Sequence, residues 1–484
     1  MGGRLPPRAR ELLAAHRVGL AAILLGTLLN AAVVTDGTFE LAVPPSKFVL
    51  FYDDLGDSLL EGRFDVPVRA IGSEAFVIDG KTYGYFGPTP ALLRIPLNAL
   101  FPGMRGLWTR SMMIAAALLT LVATYLIRRT AATAALPGSA RRGGWLDAAF
   151  VVCAAAGTSM LFISRRPIVY HEALAFGVAF AMWTYVLLLR YAEDRRLRVA
   201  LAAAALALLS FQARVSVGAG ALGAVLLLAA VLAAPRRLRE RWLHGSPAAQ
   251  ASPGAPAPIA RSPRLHAVAL AATVLLSTSA LAWKNRQVFG SITGMPPISR
   301  HIQLLVNPER LAKTGGSFFQ PVNLRTMLYN YFDPARVTFV RDEFPFVFPA
   351  THVRVFPETR MDHVEEFASL TAVNPLWLVL AAIGIGLVLR PELAGAAPLA
   401  RFRVVLAGAA AGAGSIFVVA CVTHRALHDV YPLLIVAGAC GVEGAVAVAR
   451  RSRAWRALCL SAGTVLALYT CYANAAVTLT QARW

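Results

Sequence analysis

The sequence predicts an all-α integral membrane protein with about 11 transmembrane helices and two large extracytoplasmic loops. Of its 484 residues, 57% are hydrophobic and only 15% are charged, and the mean hydropathy is +0.57. A soluble protein of this length could not cover so much apolar surface with so few polar residues. Apolar stretches of the length that spans a bilayer recur along the chain, and arginines cluster in the short segments between them.

The predicted spans follow from the positions of these apolar stretches. The fifth is short and ends at a polar patch around Arg214, which predicts either a tight hairpin with the sixth or a helix that stops partway across the membrane. A helical span satisfies its own backbone hydrogen bonds, as lipid requires. The spans are predicted at 18–35, 107–127, 145–163, 173–189, 199–211, 215–234, 267–283, 374–389, 404–422, 431–449 and 457–478.

The distribution of charge predicts the orientation. If the N-terminus is cytoplasmic, the six cytoplasmic segments carry 25 Lys and Arg against five Asp and Glu, whereas the opposite side is nearly balanced. The C-terminus is then extracytoplasmic. The predicted parts are a cytoplasmic N-terminus (1–17), a first transmembrane module (18–234) with outer loop 36–106, a Pro/Ala-rich cytoplasmic linker (235–266), and a second module (267–484) with outer loop 284–373.

The net charge of +21 is explained by this topology, so no nucleic-acid partner is predicted. All five cysteines fall within apolar runs, which predicts free thiols rather than a disulfide framework. The basic N-terminus before the run 18–35 is similar to a signal peptide, but the run is long and ten more follow. We therefore interpret it as an uncleaved first span.

The first outer loop contains an acidic segment with helical spacing. Asp53, Asp54 and Asp57 share one turn, and their carboxylates repel each other unless a cation or a donor lies nearby. Such a cluster beside a membrane suits a general base or a cation site. A solvated acidic face of a surface helix is the alternative.

Further on, Tyr83 and Tyr85 precede prolines that suit a helix start, and the apolar stretch 91–101 is too short to span the membrane.

Two motifs in this loop resemble a known fold family. They read Y-D-D-L-x-D-S-L-L-x-G-R-x-D-x-P at 52–67 and D-G-K-x-Y-x-Y-F-G-P-x-P at 79–90. Together they resemble the polytopic bacterial glycosyltransferases of the GT-C fold, and more narrowly the mannosyltransferase and protein O-mannosyltransferase-like group (family 39 type). Two later elements are similar to that group: Asn285-x-x-x-Phe289-Gly290-Ser291, and Arg425 with Asp429 and Pro432, where Ala426 replaces the usual tyrosine.

The resemblance implies a function and a place in the cell. An acidic residue of the first outer loop, here Asp53, Asp54 or Asp57, would be the catalytic base. The donor would be a polyprenyl-phosphate sugar, and the acceptor a lipid, glycan or protein at the outer face of a bacterial cytoplasmic membrane. The sugar would be a hexose or a pentose. A divalent cation is possible, and no other cofactor is implied.

Ionisable residues at the outer ends of the predicted spans are candidates for binding the substrate. Charged groups at membrane depth usually face a cavity or a partner, and arginine binds phosphate through two nitrogens. The metal ligands, if any, are unknown; His424 and His428 have a four-residue spacing that suits a metal on a helix, without an accompanying glutamate motif. The candidates are Arg165, Arg166, His171, Glu172, Arg214, His424, Arg425 and Asp429, together with Tyr83 and Tyr85.

Two other classes of function remain open from the sequence. A transporter or flippase of a lipid-linked or polar substrate would also explain charged residues near membrane depth, but it explains two large outer loops poorly. A non-catalytic scaffold of the cell envelope would use the acidic loop to bind cations or partners.

Overall fold

The structure of the protein is a computed structural model, which describes residues 7–135, 144–244, 262–290, 300–350, 352–391 and 397–480. The side chains of 7–15, 244, 304 and 363 are outside this description, and so is most of the predicted linker. The described chain is largely helical. The helices are α1 (Pro7–Val34), α2 (Phe51–Leu60), α3 (Val68–Ile71), α4 (Thr89–Leu100), α5 (Thr109–Ala135), α6 (Gly144–Ala156), α7 (Met160–Arg165), α8 (Val169–Asp194), α9 (Leu197–Ala213), α10 (Val215–Ala233), α11 (Arg236–His244), α12 (Pro263–Phe289), α13 (Ile302–Leu305), α14 (Pro308–Thr314), α15 (Leu324–Phe332), α16 (Leu370–Val373), α17 (Pro375–Leu389), α18 (Phe402–Gly414), α19 (Tyr431–Ala449) and α20 (Arg453–Thr480).

The fold class predicted from the sequence is confirmed: the chain is an all-α, multi-pass membrane protein. Within the described residues, eight helical segments are long and apolar enough to cross a bilayer, and three apolar helices of 10–17 residues are shorter. These eleven segments coincide in sequence with the eleven predicted spans. Because three of them are short, the number of crossings stays a prediction, as does the division into two modules.

Three boundaries differ from the predicted ones. The third span breaks at Gly157, so α6 is followed by the separate short helix α7. The ninth ends early, because α18 gives way to a 3₁₀ turn at Ser415–Val418. The segment after the seventh span, predicted to open the second outer loop at residue 284, continues α12 to Phe289, where Gly290 ends the helix at a positive φ of 67°. Short breaks of this kind leave no mark on average hydropathy, because the residues around them remain apolar.

The first outer loop folds as a small domain on the outer end of α8. It comprises α2, α3, the hairpin of β1 (Phe76–Ile78) and β2 (Lys81–Tyr83), and α4. The predicted turn at Asp79-Gly80 closes the hairpin, and both residues have positive φ, which Asn, Asp and Gly tolerate best. Its core contains Phe51, Tyr52, Leu55, Val66, Ala70, Ile71, Ala75, Phe86, Ala91 and Val169, the last of which begins α8. The acidic helix α2 is thereby fixed against the bundle.

The second outer loop packs on the ends of the later spans. It contains α13 to α16, the antiparallel pair of β3 (Val337–Phe339) and β4 (Val347–Pro349), and β5 (His363–Val364). Strand β5 pairs in parallel with β6 (Cys421–Val422), which lies between α18 and α19. The two outer loops also meet each other, since the amide of Ile302 donates to the carbonyl of Ala75.

Close approach of helices holds the bundle together. A Cβ atom on Gly220 of α10 would lie 2.4 Å from the carbonyl oxygen of Gly408 of α18, and one on Gly384 of α17 would lie 1.8 Å from that of Ala437 of α19. Gly408 and Gly412 therefore allow α18 to pack closely against α10. In lipid, small residues allow the backbone contacts that stabilise helix pairs, because the hydrophobic effect does not act between them.

Candidate active site

The first two aspartates of α2 point in different directions because successive residues on a helix are about 100° apart. Asp53 points inward and is fully buried. Its Oδ2 accepts a hydrogen bond of 2.8 Å from Nη1 of Arg94 on α4, and Arg94 Nη2 donates to Glu172 Oε2 at 2.6 Å. A single guanidinium therefore joins α2, α4 and the first turn of α8. Further donors complete this cluster: Thr109 binds Arg94, while Asn98 and the amide of Gly106 donate to Asp53.

The charged groups of this cluster interact with one another inside the protein rather than with solvent. Arg94, Asp53 and Glu172 are each no more than 1% exposed, so removing one partner would leave a charge in a medium that solvates it poorly. Burial alone lowers the pKa of Arg94, but Glu172 and Asp53 raise it above its usual value. The guanidinium thus stays charged, and the geometry of α2 depends on it.

Asp54 and Asp57 share a second arginine. Arg105, which follows α4, donates through Nη2 to Asp54 Oδ1 at 2.9 Å and to Asp57 Oδ2 at 2.5 Å. Arg69 of α3 lies 3.8 Å from Asp54 Oδ2, beyond hydrogen-bond distance. Within the described part of the chain, that buried Oδ2 has no hydrogen-bond partner. The Asp54 side chain is 8% exposed and that of Asp57 is 51% exposed, so one is enclosed and the other faces solvent.

The guanidinium of Arg214, between α9 and α10, is aligned by a buried carboxylate. It directs Nε and Nη2 to Asp429, with Nη2 2.9 Å from Oδ2, and Ser216 donates to the same oxygen at 2.8 Å. Asp429 is buried, whereas 39% of the Arg214 side chain is exposed. The close approach of Gly177 leaves room for this side chain, since a Cβ there would lie 2.4 Å from that of Arg214.

An aromatic cluster joins both outer loops beside Arg425. Tyr85 stacks against Phe86 with 4.2 Å between ring centroids, and Phe86 meets Tyr170 edge-on at 4.7 Å. The Arg425 guanidinium lies 5.2 Å above the Tyr170 ring and donates to Glu365 of the second outer loop at 2.8 Å. Tyr85 itself is 40% exposed. The cluster is therefore an accessible aromatic surface with a cation at its edge.

Glu74 adds a carboxylate to this aromatic cluster. Its Oε2 lies 3.2 Å from the Tyr85 hydroxyl, which donates to it, and 3.5 Å from His301 Nε2 of the second outer loop. Burial alone raises the pKa of Glu74, but the contacts with His301 and Tyr170 outweigh it and hold the pKa below its usual value. The carboxylate is consequently ionised at neutral pH and links the two outer loops.

The predicted histidines are all buried, and each contacts a different partner. His171 Nδ1 lies 2.7 Å from the carbonyl of Arg166, while His428 Nδ1 lies 3.2 Å from the hydroxyl of Ser159. His424 accepts from the amide of Ala368. The segment His424–Val430 is a 3₁₀ helix, in which residues four apart no longer share a face, so the metal spacing loses its basis. Among the described residues, no group of three His, Cys, Asp or Glu could hold a metal ion.

The remaining predicted residues lie outside these clusters. Arg165 pairs with Asp36 after the first span, and Arg166 is exposed. Tyr83 lies on β2, edge-on to Phe289 of α12 at 5.6 Å between ring centroids. Among the described residues that hold the site, sequence reasoning did not single out Arg94, Arg105, Glu74 or Tyr170. The one signal in the sequence for Arg94 is that a charged residue lies in the middle of an apolar stretch that is too short to span the membrane.

The solved structures that are similar to this chain include three of an oligosaccharyltransferase from Archaeoglobus fulgidus. The apo form is 14% identical with a TM-score of 0.48, and the complex of AglB with an inhibitory peptide and a dolichol-phosphate is 13% identical with a TM-score of 0.47. The form tethered with an acceptor peptide containing the NVT sequon is 13% identical, with a TM-score of 0.42. No family model and no curated protein matches the sequence.

The similarity to these structures covers 94% of this chain and 55% of each of the others, so the protein spans about half of their length. These structural neighbours are thus oligosaccharyltransferases, which have the GT-C fold that the sequence resembles. At such identities and TM-scores, the likeness assigns neither a substrate nor a residue to this chain. Its function has to be argued from its own contacts.

Proposed function

We propose that the protein is a membrane glycosyltransferase that moves one sugar from a polyprenyl-phosphate donor to a lipid, glycan or protein acceptor. The observation that carries this proposal is the buried Oδ2 of Asp54, which has no hydrogen-bond partner in the described part of the chain. A buried carboxylate oxygen is normally satisfied, and one that is not deserves a functional explanation. A proton taken from an acceptor would satisfy it.

Asp54 suits the role of general base better than its two neighbours. Both oxygens of Asp53 already accept hydrogen bonds, from Arg94 and Asn98, so an acceptor hydroxyl would have to displace one of these donors. Asp57 is half exposed, and water would compete for its carboxylate. Arg105 binds the other oxygen of Asp54 and thereby orients the carboxylate. We therefore assign a positioning role to Asp53 and Asp57.

The proposed reaction is a single displacement. The acceptor oxygen or nitrogen forms a bond to the anomeric carbon of the sugar and gives its proton to Asp54. The bond between that carbon and the phosphate oxygen breaks, and the polyprenyl phosphate leaves with the bonding electrons. Arg214 and Arg425 are candidates to stabilise the charge that develops on this phosphate, because each is aligned by a carboxylate and remains partly exposed.

The aromatic cluster supports a sugar or glycan ligand. The exposed ring of Tyr85 offers an apolar face on which the C–H groups of a sugar can stack, and Glu74 and Arg425 at its edge can bind hydroxyl groups. The identity of the sugar, whether hexose or pentose, does not follow from these contacts. A required divalent cation is not part of the proposal, since each aspartate of α2 already has an arginine as its ion-pair partner.

We place this activity at the outer face of a bacterial cytoplasmic membrane. The support is the charge pattern of the sequence, in which the segments opposite the candidate site carry 25 of the 47 basic residues and few acids. The same pattern favours a cytoplasmic N-terminus and an extracytoplasmic C-terminus. Cysteine labelling of intact cells at position 61, on α2's exposed end, and at position 237, on α11, would test the orientation directly.

A transfer assay tests the proposed activity. Purified protein would be incubated with radiolabelled polyprenyl-phosphate sugars and envelope extract, and incorporation into lipid, glycan and protein fractions would be counted. We expect Asp54→Asn to lower the rate by about 10² to 10⁴, the usual contribution of a general base. Asp57→Asn should lower it only a few-fold, because Asp54 keeps its contact with Arg105.

Glu61→Gln is the matched control, since this exposed residue at the end of α2 binds only Arg63 among the described residues. Its rate should equal that of the wild type. Equal rates for Asp54→Asn and Glu61→Gln would refute Asp54 as the base. Movement of intact lipid-linked sugar across vesicles without any transfer would favour the transporter instead.

A further inference from the structure

The second outer loop carries an exposed row of apolar side chains along one helix. Residues at i, i+4 and i+8 share a face, and α15 places Leu324, Leu328 and Phe332 on one such face. Their exposed fractions are 46%, 39% and 40%. Phe319 and Val322 precede the helix, and each of them is also apolar and 44% exposed, so we include them in the row. We refer to these five residues as the apolar row.

Helix α15 lies across the outer ends of the spans, because both of its ends bind the same short connection. Before the helix, the amide of Gln320 donates to Val418 and the side chain of Asn323 donates to the carbonyl of Val419 at 3.0 Å. At its end, the hydroxyl of Tyr331 donates to the carbonyl of Thr423 at 3.0 Å. These acceptors follow α18 and precede α19, so the helix is attached at the ends of two apolar segments that are long enough to cross a bilayer, Ala397–Val418 and His424–Ala449.

The helix presents three sectors around its axis. The first is buried on the bundle and consists of Thr326, Met327, Asn330 and Tyr331, each 0% exposed. The apolar row forms the second. The third carries Arg325 and Tyr329, which belong to a stack of guanidinium groups and rings: Arg325 lies 3.9 Å above Phe356, and Arg354 lies 4.8 Å above Tyr329.

The order of these sectors is that of a helix lying in a membrane interface. The apolar row lies between the buried base and the cationic stack, so it can enter the acyl boundary while the arginines stay at the headgroups. The Arg325 guanidinium lies 3.7 Å from the carboxylate of Glu358, with which it forms an ion pair. The Arg354 guanidinium donates a hydrogen bond of 3.2 Å to the hydroxyl of Tyr329. The partners of the Arg354 guanidinium among the described residues are a neutral hydroxyl and the rings of Tyr329 and Phe356, so its positive charge can still bind a phosphate.

We propose that the apolar row docks into the phospholipid leaflet on the side of the candidate site, with Arg354 at the lipid phosphates. A row of this length facing water would be an unusual exposed apolar patch for a soluble surface. Its anchoring to the outer ends of α18 and α19 puts it at the depth of the lipid boundary instead. This docking would hold the second outer loop flat against the membrane, independently of any transferase activity.

Photocrosslinking in nanodiscs tests the proposal. The photoreactive amino acid p-benzoylphenylalanine would replace Leu328 in the full chain, reconstituted with phosphatidylglycerol and phosphatidylcholine, and adducts would be read by intact mass. The matched control replaces Tyr329, one residue further along, which faces the cationic stack. We expect lipid adducts at position 328 in at least fivefold excess over position 329. Phe332, also in the apolar row, provides a second labelled position in case the first variant does not fold.

Arg354→Gln tests the headgroup contact in the same assay. Each basic residue near a membrane contributes about 1 kcal/mol toward anionic lipid, which corresponds to roughly fivefold. The ratio of phosphatidylglycerol to phosphatidylcholine adducts at position 328 should therefore fall by about that factor. Equal lipid adducts at positions 328 and 329, or adducts at 328 to a second protein chain instead of lipid, would overturn the proposal.

Discussion

Two buried arginines, one near each end of α5, lie between pairs of carboxylates. Arg94 binds the first residue of α5, Thr109, and joins Asp53 to Glu172. Arg128, near the other end of the same helix, lies 3.2 Å from Asp147 and 2.6 Å from Glu443. All four carboxylates are no more than 5% exposed.

The two clusters differ in how many cations support them. At the Arg128 end, Arg129 also binds Asp147, so two arginines balance two acids. At the Arg94 end, one arginine faces two acids, and neutral donors from Asn98 and the Gly106 amide satisfy the rest. The outer cluster therefore depends on a single residue, and so does the position of Asp54 next to it. The inner cluster joins three spans and shares its charge among more partners.

Arg94→Met should have the largest effect on stability. It leaves Asp53 and Glu172 buried without a cation, and breaking a buried ion pair costs about 3–5 kcal/mol. The free energy of unfolding would be measured by denaturant titration in mixed micelles. Arg105→Met is the comparison and should cost less, because Arg105 is 36% exposed and one of its two carboxylates, Asp57, already faces solvent. A loss under about 1 kcal/mol for Arg94→Met would show that this cluster does not hold α2.

Arg128→Met should cost less, about 2–3 kcal/mol, because Asp147 keeps Arg129 and only Glu443 loses its cation. Adding Glu443→Gln should then restore the free energy of unfolding to within about 1 kcal/mol of wild type, since no unpaired acid remains. The corresponding double variant at the outer end, Arg94→Met with Glu172→Gln, still contains Asp53. It should recover only part of the loss, and full recovery at both ends would abolish the proposed difference.

Glu74→Gln should have the smallest effect and should depend on pH. The pKa of Glu74 is lower in the folded protein than its ordinary value of 4.5, so its ionised form stabilises the fold at higher pH. That stabilisation, under about 1 kcal/mol for a partly exposed group, is complete above pH 4.5 and disappears as pH falls through the folded pKa. Thermal midpoints at pH 7 and pH 3 would show a deficit for the variant only at pH 7.

The spans and the acidic helix could be predicted because each depends on neighbouring residues. The apolar stretches of the sequence predicted the positions of the eight long and three shorter apolar helices among the described residues. The spacing of Asp53, Asp54 and Asp57 indicated one helical turn. The charge repulsion within that turn required a cation, and the structure provides Arg94 and Arg105. The sequence did not indicate which of the 47 basic residues would pair with these aspartates, because the ion pairs join residues more than 40 positions apart.

Other parts of the site escaped sequence reasoning for a different reason. The aspartates were treated as one group, yet a step of one residue turns Asp53 toward Arg94 and Asp54 toward Arg105. His424 and His428 were given α-helical spacing, whereas the chain there tightens into a 3₁₀ turn before Pro432. Local backbone form of this kind depends on tertiary packing, which a single sequence does not report.

Arg105 uses one nitrogen, Nη2, for both Asp54 and Asp57. Both carboxylates attract the same positive charge, so a weaker contact with one of them strengthens the contact with the other. If Asp54 takes up a proton as proposed, its attraction for the guanidinium weakens and the guanidinium is drawn toward Asp57. Arg105 would thus keep a charged partner in both protonation states of Asp54.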